Sequence, residues 1–217
     1  MVDQEHLLLP LVLFLRIYFT LGIKNMSKRI LVILGHSAND SFCGALADSY
    51  ITGAKAAGHE IQFLPLGNLS FDPVLHNGYG SIQELEPDLL AAQAAITWAQ
   101  HIVLVYPIWW GAMPALLKGF IDRVFLPSFA FKYRTGSAFW DRLLSGRSAH
   151  LLVTMDTPPW YFRWVYRMPG HNQMKRTILE FSGIKPVIVS SFGPIKDSTP
   201  QKREKWLAQA NAHGHHA

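Results

Sequence analysis

The stretch Tyr106-Pro107-Ile108-Trp109-Trp110-Gly111-Ala112-Met113-Pro114 directly follows the apolar run from His101 to Val105. This order predicts a short buried strand that ends at Tyr106, after which Pro107 turns the chain away in an extended conformation. Two tryptophans then lie on a loop bounded by Gly111, and Pro114 opens a helix where its missing N–H costs nothing. Large apolar side chains on such a loop are costly unless they cover something. The stretch therefore indicates either a platform for a planar ligand or aromatic packing in the core or a subunit interface.

The segments around this stretch alternate between strand and helix patterns. Strands are predicted at Arg29–Leu34, His59–Leu64, His101–Val105, Ala149–Thr154 and Val187–Ser191. Helices are predicted at Ser41–Ala57, Glu84–Gln100, Pro114–Phe125, His171–Ser182 and Gln201–Ala210, and a long loop at Leu66–Ile82. This alternation predicts a doubly wound α/β domain over residues 26–217, with a five-stranded parallel sheet and helices on both faces. Because ligands bind at the carboxyl ends of such strands, the fold favours the platform interpretation.

Composition excludes several classes of protein. The single cysteine, Cys43, rules out a disulfide framework, a CxxC redox pair and a structural zinc site. The histidines show no metal-ligand spacing, so no metal site is expected. The net charge of +5 is spread along the chain, which argues against nucleic-acid binding. By its position Cys43 could be a thiol of low pKa, although a small buried residue is the commoner case.

Residues 1–25 form an apolar extension before this domain. The run Leu7–Ile23 is interrupted by Pro10 and carries Arg16 near its middle, so it is marginal as a membrane span. Three interpretations remain: Met26 is the true start and the extension is an artefact of gene-start assignment, which we favour; residues 7–23 form a weak membrane anchor; or they form an extra helix. All three place the globular domain in the cytoplasm.

Two further loops at strand ends carry polar groups. The turn after the first strand holds His36, Ser37, Asn39 and Ser41 at the start of a helix, where free N–H groups and the helix dipole suit a phosphate. It matches neither GxGxxG nor a P-loop, and Ser41 or its neighbour Asp40 could equally be an ordinary N-cap. This turn is therefore consistent both with an anion site and with an ordinary helix cap.

The loop after the fourth strand, from Thr154 to Tyr161, leaves the same edge of the predicted sheet. Its aromatic continuation is interleaved with Arg163 and Arg167 and could line a substrate mouth or a dimer interface. His171 could donate a proton to a reduced substrate, although a surface or capping histidine is the commoner case. The aromatic residues of this continuation are Trp160, Tyr161, Phe162, Trp164 and Tyr166.

These residues together resemble the flavodoxin-like NAD(P)H:quinone oxidoreductase family over nearly all of Met26 to Leu207. The matching pieces are His36-Ser37 with Ser41-Phe42, the loop Phe71-Asp72-Pro73, and the run from Tyr106 through Pro114-Ala115-Leu116-Leu117-Lys118-Gly119-Phe120 to Asp122-Arg123-Val124-Phe125. The resemblance implies a flavodoxin-like fold and a homodimeric enzyme that binds FMN or FAD at the strand ends. It also implies that the enzyme passes hydride from NAD(P)H to a quinone by a ping-pong mechanism.

The resemblance also implies roles for individual residues. The flavin phosphate and ribityl chain would contact His36, Ser41 and Phe42, with Ser37 beside them. The platform for the isoalloxazine ring would consist of Pro107, Ile108, Trp109 and Trp110, followed by Gly111. Thr154 would begin a second flavin loop. Tyr161 and His171 are the catalytic candidates, although they align only with gaps. This chain departs from the family pattern after that threonine, where the family's glycine pair is replaced by Asp156-Thr157, followed by Pro158-Pro159.

The function expected from these features is a flavin-dependent oxidoreductase that reduces quinones, azo compounds or nitro compounds. The alternative is a flavin-binding ancillary subunit of a membrane transport system such as potassium efflux. An electron-carrier flavodoxin is disfavoured because the chain is basic and long. FMN and FAD stay open, as do NADH and NADPH; Arg163, Arg167 or Lys175 could meet a 2′-phosphate.

Overall fold

The structure is a computed structural model that describes residues 27–217. The interpretations of residues 1–25, including an anchor over residues 7–23, concern a part of the chain outside the described residues. Within residues 27–217, no helix has the length and apolar character that a membrane crossing needs.

Residues 27–217 form seven strands and six α-helices, and all but the short pair β4–β5 and the short helix α4 follow the predicted alternation. The strands are β1 (Arg29–Leu34), β2 (Glu60–Pro65), β3 (His101–Pro107), β4 (Phe131–Tyr133), β5 (Trp140–Arg142), β6 (Ser148–Thr154) and β7 (Val187–Phe192). The helices are α1 (Phe42–Ala56), α2 (Pro87–Trp98), α3 (Ala115–Val124), α4 (Pro159–Trp164), α5 (Pro169–Asn172) and α6 (Pro200–His215). A single turn of 3₁₀-helix spans Leu66–Asn68, and a π-helix over Gln173–Glu180 continues α5.

Five strands form one parallel sheet in the order β2-β1-β3-β6-β7. All seven residues of β3 are buried, which explains why its sequence is a continuous apolar run rather than an alternating pattern. The strand order reverses between β1 and β3, where flavodoxin-like sheets bind their ligands. The predicted doubly wound fold is confirmed.

Helices cover both faces of the sheet. The larger apolar cluster lies under α2, α3 and the π-helix, and the smaller one lies under α1 and α6. The contact between α1 and α6 requires glycine, because a Cβ on Gly53 would lie 1.9 Å from the Asn211 carbonyl oxygen. This close approach holds the last turn of α1 against α6, while the opposite end of α1, at Phe42, is one wall of the site described below.

Several predicted boundaries were wrong for identifiable reasons. The second helix begins at Pro87 rather than Glu84, because proline occupies its first turn and Glu86 before it is extended. The helix predicted from His171 begins at Pro169 and widens into a π-helix. The antiparallel pair β4–β5 was missed because three-residue strands are too short to show alternation. The six-residue α4 was missed because its aromatic side chains indicated a surface cluster instead.

Candidate functional site

Three loops leave the sheet together at the carboxyl ends of β1, β3 and β6. The Gly35 N–H donates to the Val105 carbonyl at 2.8 Å, and the Ile108 N–H donates to the Thr154 carbonyl at 2.7 Å. Each loop therefore begins hydrogen-bonded to the strand next to it. The tryptophan loop after β3 lies between the other two, because β3 lies between β1 and β6.

The loop after β1 ends in a capped helix N-terminus. Ser41 is the N-cap of α1, with extended backbone, and its hydroxyl oxygen accepts a hydrogen bond from the Gly44 N–H at 3.2 Å. The hydroxyl hydrogen remains available to a ligand. Glycine is required at position 44 because a Cβ there would lie 1.9 Å from the Asn39 carbonyl oxygen. The first N–H groups of α1 have no partner within the helix, so this terminus can receive an anion.

The tryptophan loop is a tight turn. Trp109 and Ala112 exchange both backbone hydrogen bonds, at 2.9 and 3.1 Å, and the two residues between them have positive φ: 51° at Trp110 and 79° at Gly111. Glycine adopts this conformation freely, whereas tryptophan does so at a cost. The turn holds the Trp110 side chain fully exposed, while the Trp109 ring packs edge-on against His36 at 5.5 Å between centroids.

Two adjoining cavities surround this loop and share Ile108 and Asp156. The strand-end cavity, of about 200 Å³, is lined by His36, Ser41, Phe42, Cys43, Pro107, Ile108, Trp109, Thr154, Met155, Asp156 and Ile195. The outer cavity, of about 480 Å³, is lined by Ile108, Trp110, Gly111, Asp156, Thr157, Phe162, Tyr166 and Pro169. One cavity therefore contains the start of α1, and the other lies between the tryptophan turn and α4.

The strand-end cavity offers neutral donors. No lysine or arginine is found among its lining residues in the described part of the chain. Burial raises the pKa of the Cys43 thiol to about 11, against the opposing effect of a contact at 3.2 Å with the Thr154 hydroxyl. Cys43 is thus the small buried residue, and the interpretation as a thiol of low pKa was wrong. The exposed Asp156 carboxylate accepts a hydrogen bond from the Lys196 backbone N–H at 2.9 Å.

The structure places nine of the ten predicted cofactor-binding residues around these cavities. His36, Ser41, Phe42, Pro107, Ile108, Trp109 and Thr154 line the strand-end cavity, and Trp110 and Gly111 line the outer one together with Ile108. Ser37 lines neither; its carbonyl oxygen packs against Gly67 instead. Two lining residues were not predicted from the sequence: Ile195, which follows β7, and Pro169, which begins α5. Ile195 could have been found, because β7 is the neighbour of β6 and also ends at this edge of the sheet.

The two catalytic candidates lie outside both cavities. Tyr161 packs edge-on against Trp160 and Tyr166, at 5.6 and 5.1 Å between ring centroids. His171 is only 6% exposed, and its Nε2 lies 2.9 Å from the Ser191 hydroxyl, in a separate groove beside β7. Burial lowers the His171 pKa to about 4, so it stays neutral at pH 7. The expectation of a surface or capping histidine was wrong.

Related proteins share this architecture. An uncharacterized NAD(P)H oxidoreductase of Haemophilus influenzae is 33% identical over 134 residues, covering 58% of this chain and 64% of that protein. NAD(P)H dehydrogenase (quinone) 1 of Cavia porcellus is 27% identical over 135 residues, covering 53% and 48% respectively. The chain thus matches about half to two thirds of the length of these relatives.

Solved structures agree over a longer range. Smu.1420 from Streptococcus mutans superposes with a TM-score of 0.75 at 27% identity, covering 87% of this chain and all of that one. An FMN-dependent NADH-azoreductase from Bacillus anthracis, in complex with FMN, superposes with a TM-score of 0.68 at 17% identity, covering 86% and 97%. A family model described as flavodoxin-like fold matches residues 28–213. Because that match covers most of the chain and the strand order agrees with it, this chain belongs to the family of the flavodoxin-like fold.

Proposed function

We propose that this chain is a flavin-dependent oxidoreductase that transfers hydride from NAD(P)H to quinones or to similar acceptors such as azo and nitro compounds. The observation that carries the proposal is that the two cavities adjoin and share Ile108 and Asp156 in their linings. This arrangement places a helix N-terminus that can receive an anion next to a cleft beside exposed aromatic rings. A flavin nucleotide, which carries a phosphate and a planar ring system, fits this pair of cavities: the phosphate suits the helix N-terminus and the ring suits the aromatic cleft.

The residues that line the two cavities fit such a cofactor. At the strand-end cavity, the start of α1 and the Ser41 hydroxyl would hold the phosphate, because N–H and O–H donors bind an anion without a cationic side chain. Along the tryptophan loop, Ile108 and Trp109 would support the ring, and the exposed Trp110 would cover it from solvent. Phe162 and Tyr166 form the apolar wall across the outer cavity and would exclude water from the ring.

When bound, the flavin supplies the hydride chemistry, and the chain supplies binding and orientation. The outer cavity adjoins the ring position through Ile108 and is lined by the Trp110 turn. Nicotinamide and acceptor would therefore occupy it in turn, which is the physical basis for a ping-pong mechanism. The names of the Cavia porcellus and Haemophilus influenzae relatives support this reaction class.

We also infer a homodimer, as the family resemblance implies. The fully exposed Trp110 ring is a large apolar surface that water solvates poorly. Both a bound ring system and a second subunit would cover it. Sedimentation of the full chain tests this part of the proposal independently of the cofactor.

The decisive experiment is an absorbance spectrum of the purified full chain, alone and after titration with FMN and with FAD. Anaerobic addition of NADPH or NADH, followed by a benzoquinone, then tests the reaction. We expect a flavin band that bleaches with the reduced nicotinamide and returns with the quinone. The Trp110→Ala variant should bind flavin more weakly, whereas Phe139→Ala, which removes an exposed aromatic outside both cavities, should not.

Three outcomes separate the possible functions. Bleaching and return would support the oxidoreductase. A flavin that binds normally but is reduced too slowly for turnover would move the assignment to an ancillary subunit. Failure to bind either flavin would contradict the proposal, and the tryptophan loop would then be assigned to a subunit interface.

A further inference from the structure

The last strand of the sheet, β7, has an open edge. β7 pairs with β6 on one side, and no other strand of residues 27–217 pairs with it on the other. The Pro186 and Phe192 carbonyls accept hydrogen bonds from the β6 side, at Ala149 and Met155, each at 2.9 Å. Backbone groups alternate in direction along a strand, so the groups of Val187, Val189 and Ser191 are directed away from β6. Val187 is buried, so the unused donors and acceptors that a partner could reach are those of Val189 and Ser191.

A groove of about 970 Å³ runs beside this open edge. Its far wall is α4, which contributes Trp160 and Trp164, exposed by 63% and 72%. Its near wall is β7 itself, where Ile188 is 56% exposed. A sheet edge flanked by exposed apolar side chains is the arrangement by which extended peptides are bound as an added strand. We call this the edge groove.

The edge groove carries positive charge. Arg163, Lys175 and Arg176 line it, and none of its described lining residues is acidic. The Arg163 guanidinium lies over the Trp164 ring at 5.3 Å, and Lys175 makes only a long contact of 4.0 Å with Glu180. All three cations thus remain available to an anionic partner. The same charges oppose pairing of two identical grooves, because like charges would then face each other.

We propose that the edge groove binds an extended, acidic segment of a partner protein, which adds to the sheet as a strand beside β7. The open backbone groups at Val189 and Ser191 supply the main-chain hydrogen bonds. The cations on α4 and on the π-helix select carboxylates, and the two tryptophans hold the apolar side chains between them. This proposal is independent of the flavin site and of the proposed reaction.

The test uses the full chain and three fluorescein-labelled nine-residue peptides, with anisotropy as the readout. One alternates glutamate with valine, one alternates lysine with valine, and the third repeats the acidic sequence with alternate amides N-methylated so that they cannot pair with a strand. We expect the acidic peptide alone to bind, and its affinity to fall at least about tenfold between 50 and 500 mM salt, because the pairing charges are exposed. The other two peptides should bind at least about tenfold more weakly.

Two variants test the same assignment on the protein. Val189→Pro removes one outward N–H, which an edge strand tolerates, while Val189→Ala keeps it. We expect only the proline variant to lose binding, with unchanged circular dichroism. The pair Arg163→Glu and Arg176→Glu should also abolish binding. The pair Lys55→Glu and Lys132→Glu, which gives the same change in net charge on exposed positions elsewhere, should not.

Other results would overturn the proposal. Equal binding of the N-methylated acidic peptide would show simple charge attraction without strand addition. No binding of any peptide at millimolar concentration would show that the edge is not a docking site. A dimer that the Arg163→Glu and Arg176→Glu pair dissociates would assign the groove to a second copy of the chain.

Discussion

The Cys43 thiol lies 3.2 Å from the Thr154 hydroxyl, where the first turn of α1 meets the end of β6. This contact joins two of the three loops that form the candidate site. The thiol is buried, and its pKa is raised to about 11 by that burial. A thiol with this pKa is ionised to about one part in a thousand at pH 8, compared with about one part in four for an exposed cysteine.

We therefore expect Cys43 to react slowly with a disulfide reagent in the native protein. Labelling at pH 8 should be at least about a hundredfold slower than in urea, because the thiolate is the reacting form. Since Cys43 is the only cysteine of the chain, the rate reports this site alone. Rapid native labelling would show that the start of α1 is not packed against β6.

Replacing Ser41 by alanine should affect stability and phosphate binding together. Loss of the N-cap costs about 1 kcal/mol of unfolding free energy. We also expect the affinity for FMN to fall more than the affinity for riboflavin, which lacks the phosphate. The matched control is Thr199→Ala, which removes the equivalent cap of α6, where the side chain accepts from the Lys202 N–H at 3.3 Å. It should cost similar stability and leave both affinities unchanged.

Replacing Trp110 by glycine should separate stability from binding. Glycine adopts the φ of 51° at this position without the cost that tryptophan incurs. The protein without flavin should therefore be as stable or more stable, by up to about 1 kcal/mol in urea denaturation. Flavin affinity should fall in the same variant, whereas Trp110→Phe should retain most of it. A clear loss of stability in Trp110→Gly would show that the ring packs in the fold rather than covering a ligand.

Among residues 27–217, three of the four buried histidines have strongly lowered pKa values and should make the protein sensitive to acid. Burial lowers the pKa of His101 to about 4, of His150 to about 3 and of His171 to about 4. In the unfolded chain these histidines bind protons below about pH 6.5, whereas in the folded protein they stay neutral down to about pH 4. Unfolding therefore takes up protons between these two pH values, and acid favours the unfolded state. The full stability is present above pH 6.5 and is lost as pH falls towards 4. For each histidine the slope approaches about 1.4 kcal/mol per pH unit.

Urea denaturation at several pH values between 7.5 and 4.5 measures this loss. His150→Gln should reduce the slope of the unfolding free energy against pH by the contribution of one histidine, because residue 150 then takes up no proton on unfolding. Gln201→Asn, at an exposed position in the first turn of α6, removes no titratable group and should leave the slope unchanged. An identical slope in wild type and His150→Gln would contradict the assignment of His150 as a buried neutral group.

Removing the Arg123 side chain should destabilise the loop before α2. Arg123 is completely buried and donates to the Glu86 carboxylate and the Glu84 carbonyl, each at 2.8 Å. Arg123→Met leaves these acceptors unpaired and should cost about 3 kcal/mol. Arg134→Met removes an exposed pair with Asp141 and should cost less than about 1 kcal/mol. Equal costs would show that burial does not strengthen the Arg123 interactions.

Elements with a long sequence pattern could be predicted, whereas elements with a short pattern could not. The buried strand β3 was predictable from its continuous apolar run, and the helix α3 from several turns of periodic apolar residues. The strands β4 and β5 were not, because three residues hold too little pattern. His171 was misplaced because its burial arises from β7 and α4, which are remote in sequence or unrecognised.

By itself, the sequence determined the alternation of strands and helices, the position of the tryptophan loop at a strand end and the polar turn before α1. These properties follow from local periodicity, glycine and proline, which act over a few residues. Only the tertiary structure decided that Ile108 and Asp156 line two adjoining cavities and that Cys43 is buried against Thr154. It also decided that β7 leaves an open basic edge. Such relationships depend on which strands become neighbours, and that is set by packing over the whole sheet rather than by any single segment.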